Sequence, residues 1–174
     1  MTPTFADLVG RWHDFYVLVG TAAATLIGLL FVGLSLNIRV IRRDTGVDLQ
    51  ELAGQSGNNF FYVLAVALFF LIPDQTPLGL GLPLLILGLL GLLGTVSHMR
   101  KARAQRRMWG KSSIVRRFTM PIVSLAGLVA IALSALSGET AGVYALVLVI
   151  IVLLASATQN AWDLLIKVDE DEHE

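Results

Sequence analysis

Seven polar side chains stand near the ends of long apolar runs in this sequence: Asn37, Asn58, Asn59, His98, Gln159, Asn160 and Asp163. Most are carboxamides, which offer N–H donors and a carbonyl acceptor and remain neutral. The chemistry open to them is hydrogen bonding to water, to helix ends or to a passing solute. No Asp, Glu, Lys or Arg occupies the middle of an apolar run, and central charges are what ion- and proton-coupled carriers use. Coupled transport is therefore not expected. The chain has no cysteine, and His13, His98 and His173 fall in three separate regions. With no HxxxH, HExxH or carboxylate cluster at ligand spacing, no metal is expected. A nucleophile elbow, a phosphate loop and a Ser/His/Asp set on one face are all missing too. Neither an enzymatic activity nor a cofactor is anticipated.

Placing these residues requires the elements that carry them. Of 174 residues, 55% are hydrophobic and only 15% are charged, whereas soluble domains carry about 25% charged residues. The mean hydropathy is +0.73. Leu, Val, Ile, Ala and Gly gather into long runs, which reads as one all-α membrane domain over residues 1–174, a polytopic transmembrane helical bundle. At about 20 residues per crossing, the charges cut the chain into five spans, near residues 16–37, 57–72, 78–97, 118–136 and 141–165. The second is short. The last two are parted only by "SGET", residues 137–140, so four spans remain the alternative.

Basic residues set the orientation. Arg39, Arg42 and Arg43 follow the first span. Arg100, Lys101, Arg103, Arg106, Arg107, Lys111, Arg116 and Arg117 follow the third. These eleven are all but two of the thirteen Lys and Arg, and the positive-inside rule puts both loops in the cytoplasm. An odd number of spans then leaves the N-terminus outside and the C-terminus cytoplasmic. The opposite connections, "PDQTP" and "SGET", carry only Asp74 and Glu139, in keeping with this. The same basic stretch, from Arg100 to Arg107, lies directly beneath the bilayer, where it would meet anionic lipid headgroups rather than nucleic acid.

Both ends have a character of their own. Phe5, Leu8, Val9, Trp12, Phe15 and Tyr16 recur at helical spacing among Asp7, Arg11 and Asp14. This predicts an amphipathic interfacial helix over residues 1–15. The tail, residues 168–174, is dominated by carboxylates and is expected to be solvated and mobile.

Small side chains line several spans. Gly20, Ala24 and Gly28 form a small-xxx-small ridge in the first, and Gly81, Gly88 and Gly91 repeat the device in the third. Such ridges let helix backbones approach in a medium where burial alone drives nothing. More of them are present than a five-helix bundle needs, so self-association is expected. Gly28→Leu is expected to disturb the oligomer or its stability.

The run "FYVLVGTAAATLIGLLFVGLSLN", residues 15–37, resembles the first span of a family of small, uncharacterised multi-span proteins of the bacterial inner membrane. The resemblance implies that location and nothing about activity. Two functions stay open. One is a homo-oligomeric, uncoupled channel or pore for ions or small solutes, with the seven polar residues forming a layer at its cytoplasmic mouth. The other is a non-conducting scaffold or modulator of a larger membrane partner.

Overall fold

A computed structural model describes residues 4–37, 47–104, 111–139 and 142–172. Within these, the side chains of residues 47–52, 98–99, 101–104, 111–118 and 164–172 are outside the description. The described residues form six helices and no strands: α1 (Phe5–Gly10), α2 (His13–Leu36), α3 (Val47–Phe70), α4 (Pro77–Ala104), α5 (Lys111–Leu136) and α6 (Gly142–Glu172). Four stretches are long and apolar enough to cross a membrane: His13–Leu36, Pro77–Ser97, Thr119–Leu136 and Gly142–Asp163. They mark an integral membrane protein.

Local sequence accounts for most of the boundaries. Thr4 and Asp7 make a capping box, in which the Thr4 hydroxyl accepts from the Asp7 N–H at 3.2 Å and the Asp7 carboxylate accepts from the Thr4 N–H at 2.9 Å. The hydroxyl and backbone N–H of Thr4 hold the Asp7 carboxyl below its ordinary value. Thr76 accepts from the Gly79 N–H at 3.0 Å, while Pro77 fills the first position of α4, where its missing N–H costs nothing. The brief "SGET" break is real. Gly138 takes φ 81°, its N–H donates to Ala135 O at 2.9 Å, and the Glu139 N–H reaches Ser134 O at 3.1 Å. This is a Schellman ending that only a residue free to adopt positive φ makes easily.

Contacts between helices give the topology. Tyr16 stacks on Phe70 with ring centroids 4.0 Å apart, and Gly57 lies across from Leu30, so α2 and α3 are antiparallel. The α4–α5 pair is also antiparallel, with Gly81 against Leu136 and Gly91 against Leu125. Helix α6 fits between α3 and α5, while Tyr62 of α3 reaches Gly91 of α4. Thus α3, α6, α5 and α4 close a ring around a core that includes Leu80, Leu84, Leu125, Leu128, Leu146 and Ile150. Helix α2 lies outside that ring, packed on α3. One end of the bundle, called here the basic end, carries the end of α4 with Arg100 and the start of α5 with Lys111. The other, the aromatic end, carries Trp12, Phe15, Tyr16, Phe70 and Tyr144, linked by edge and stacking contacts.

Helix α3, the expected second span, is not among the four apolar stretches, because Gln55, Asn58 and Asn59 dilute its first half. Its place in the bundle offsets that dilution. Half of residues 53–70 are buried, against 17% of the apolar stretch of α2, 28% in α4 and 39% in α5 and α6. A helix enclosed by protein can carry polar groups that lipid would exclude.

Three expectations need adjusting. The interfacial helix over residues 1–15 is instead a short α1 followed by a turn at Arg11 and Trp12. Phe5 and Val9 of α1, with Trp12 in the turn and Phe15 at the start of α2, pack on the bundle's own core. The acidic tail continues α6 as helix through Glu172, since no Gly or Pro follows Gly142 to stop it; residues 173–174 are outside the description. The ridge of α2 is divided. Gly20 is buried, and a Cβ there would stand 3.2 Å from Ala67 Cβ, but Ala24 and Gly28 are exposed and nothing lies within 4 Å of a Cβ at Gly28. The stripe that meets α3 runs through Tyr16, Val19, Gly20 and Ala23, roughly a quarter of a turn from the ridge's centre at 100° per residue.

Candidate functional site: a neutral polar cluster between α3 and α6

Ser56 and Asn59 are three residues apart on α3, and Ser156 and Asn160 are four apart on α6, so each pair shares a helix face. The antiparallel packing of α3 and α6 turns these faces toward each other at the basic end. Asn59 Nδ2 donates to Ser156 Oγ at 3.4 Å, long beside the roughly 2.9–3.0 Å of a good bond. All four residues are buried, Ser56 at 0% exposure, Asn59 at 4%, Ser156 at 5% and Asn160 at 8%. Ser56 and Asn160 both lie on the basic-end side of the Asn59–Ser156 bond. Among the described residues, Ser56 Oγ and Asn160 Nδ2 have no hydrogen-bond partner. Leaving such a group unsatisfied costs about 1–3 kcal/mol.

The other expected polar residues do not join the cluster. Asn37 ends α2, and its Nδ2 donates to Gly33 O at 3.1 Å, which is ordinary helix capping. Asn58 is exposed, and its amide donates to the Tyr62 hydroxyl at 3.2 Å. Gln159 and Asp163 are exposed, as is Trp162 between them. The side chain of His98 is outside the described residues. What was expected as one layer around a mouth is a compact site within the chain plus separate helix-end contacts.

Ser56 was not among the polar residues singled out in the sequence. The signal was available, since Ser56 precedes Asn59 by three residues. Two further partnerless groups, Ser124 Oγ and Tyr16 OH, carry no such signal: a tyrosine reads as an aromatic core residue, and a Ser or Thr hydroxyl in an apolar run ordinarily bonds back to its own helix. Thr21, Thr25 and Ser35 do so, each donating at 2.8 Å to the carbonyl four residues earlier.

The electrostatics are those of dipoles. Among the described residues the buried polar side chains besides tyrosine are Ser56, Asn59, Gln75, Ser124, Ser156 and Asn160, and none of these six is ionisable. Toward the aromatic end, the α3–α6 interface turns apolar with Val63, Val66, Leu146, Ile150 and Leu153, all at 1% exposure or less. Among the described residues, no group of three or more His, Cys, Asp or Glu could hold a metal.

Gly81, Gly88 and Gly91 of α4 sit where α5 approaches closely. A Cβ at Gly81, Gly88 or Gly91 would lie 2.6, 2.8 or 2.7 Å from Leu136, Val129 or Leu125. Of the basic residues expected at headgroups, Arg100 is exposed, Lys101 and Arg103 are on the last turn of α4, and Arg106 and Arg107 lie outside the described residues. No family model, curated protein or solved structure significantly matches the chain.

Proposed function

We propose that this chain is a five-span protein of the bacterial inner membrane that provides an uncoupled path for ions or small solutes, assembled as a homo-oligomer. The observation that carries the reading is the neutral cluster of Ser56, Asn59, Ser156 and Asn160, with two buried groups lacking a partner. Packing alone would be better served by apolar side chains of similar size, since a partnerless polar group costs free energy. Water or solute entering from the basic end would satisfy these groups. The apolar layer of Val63, Val66, Leu146 and Ile150 would then act as the closed part of the path, as hydrophobic constrictions do in channels. No enzymatic step and no cofactor enters this reading. The outward face of α2, with Ala24 and Gly28, supports self-association, and Arg100 with its basic neighbours supports contact with anionic headgroups.

Burial of α3 supports counting it as the fifth crossing. Five crossings with cytoplasmic basic loops put the N-terminus outside. A reporter fused after Glu174 is expected to be active in the cytoplasm; activity on the far side would refute the topology.

The path is tested in liposomes of purified protein. Flux of chloride, potassium or a small neutral solute should exceed that of empty vesicles without any proton or sodium gradient. If nothing crosses under voltage, pH or osmotic challenge, the second reading takes over: a non-conducting scaffold for a larger membrane partner. It is favoured by the exposure of α2, whose apolar stretch is only 17% buried.

A further inference from the structure

The cluster between α3 and α6 has a composition that selects its occupant. Asn160 Nδ2 has N–H donors to give, and the Ser56 hydroxyl can both donate and accept. Both are buried without a partner among the described residues, and both lie on one side of the stretched Asn59–Ser156 bond. An oxygen that accepts from Asn160 and exchanges a hydrogen bond with Ser56 would satisfy the two together. A charge would be a poor guest. No buried Asp, Glu, Lys, Arg or His is present among the described residues to balance it, and an uncompensated ion in such surroundings is strongly disfavoured. Amide and hydroxyl donors could solvate a chloride in part, but its countercharge would have to come from elsewhere.

The geometry points to Ser56, Asn59, Ser156 and Asn160 as a binding site for one small neutral oxygen-bearing molecule, either water or a solute of the urea or glycerol class. The site stands on its own geometry; the assignment of such molecules as the permeant class rests on the proposed path. Buried water and small polar ligands are held in this way, by two to four polar partners in an otherwise close-packed interior. The site also explains why α3, the most enclosed long helix, keeps Ser56 and Asn59 where apolar residues would pack.

Two measurements on the full chain test the inference. The first is thermal unfolding in detergent of Ser56→Ala and Asn160→Leu, with Ser124→Ala as the comparison, since the Ser124 hydroxyl is buried and partnerless but sits on α5 rather than on either helix of the cluster. Alanine is the better helix former, and deleting a dry, partnerless hydroxyl removes a desolvation penalty. A site that holds a molecule predicts the opposite sign: Tm falls for Ser56→Ala and Asn160→Leu, and is unchanged or raised for Ser124→Ala. If Ser56→Ala leaves Tm unchanged or raises it, or if Ser124→Ala lowers it equally, the site is overturned. The second is swelling of proteoliposomes, which reads osmotic water entry, urea entry and glycerol entry separately from chloride flux. The expected result is a several-fold loss of neutral permeation in Ser56→Ala with chloride flux unchanged, and which of the three neutral arms falls identifies the molecule. Chloride flux that alone depends on Asn160 would overturn the neutral site while leaving the path intact. If nothing permeates but the Tm pattern holds, the path fails and the site stands.

Discussion

Gly88→Leu is expected to unfold or severely destabilise the bundle, whereas Gly28→Leu is expected to leave the stability of the single chain unchanged. At Gly88, even a Cβ would stand 2.8 Å from Val129 Cγ2 and 3.4 Å from the Val129 backbone nitrogen. Valine is stiff about χ1 and cannot swing its methyl away without leaving its preferred rotamer. The same helix meets α5 at Gly81, where a Cβ would be 3.0 Å from the backbone oxygen of Ala132. Relief there would need the two backbones to part. Overpacking of this kind costs about 1–3 kcal/mol, and a leucine should reach the upper end of that range. Such a loss is a large share of the roughly 5–15 kcal/mol by which folded domains are held. Gly28 is the contrast, with nothing within 4 Å of its Cβ position. Thermal unfolding and size-exclusion profiles of the two variants settle the comparison. Wild-type Tm for Gly88→Leu would mean that α4 and α5 do not approach this closely. A loss of oligomer in Gly28→Leu at unchanged chain stability would identify the outward face of α2 as the contact between copies.

Tyr16 should separate packing from polarity in one position. It is 1% exposed, stacked on Phe70 and in edge contact with Phe15 at a centroid distance of 5.1 Å. Tyr16→Ala empties a site shared by α2 and α3, and removing a buried aromatic ring costs about 3–5 kcal/mol. The hydroxyl has no partner among the described residues, so Tyr16→Phe should be neutral or mildly stabilising. Unfolding midpoints for the pair should therefore diverge widely. A large loss in Tyr16→Phe would show that the hydroxyl is bonded after all, and a small loss in Tyr16→Ala would detach α2 from α3.

Much of this was readable before any tertiary contact. The apolar helices were legible because lipid demands long runs without charge, and the stops at Thr76–Pro77 and Gly138 were legible because their chemistry is local. The ridge of α4 was readable as a close-approach face, since three glycines at helical spacing leave few other uses. The ridge of α2 was not. In a helix that is apolar on every side, no periodicity tells protein-facing from lipid-facing surface, and the stripe that meets α3 combines Tyr16, Val19 and Ala23 with only one of the ridge residues.

The polar residues show the same division. Seven were visible as belonging near one end of the bundle, because charge placement sets depth. Depth does not set azimuth. Only the packing of α3 against α6 decided that Asn59 and Asn160 share an interior site with Ser56 and Ser156, while Asn37 caps its own helix and Gln159 and Asp163 are left exposed.

By itself the sequence determined the class of molecule, four of its apolar helices, where most of them begin and end, and which end of the bundle is basic. All of these follow from composition and from interactions between residues close along the chain. Tertiary structure alone decided which helix is enclosed, which glycines are filled by a neighbour and which polar groups are left partnerless. Those outcomes depend on the rotation of each helix about its axis, which is set by contacts between residues nearly a hundred positions apart, as Asn59 and Ser156 are. A helix surrounded by lipid and apolar protein receives no hydrophobic signal to fix that rotation in advance.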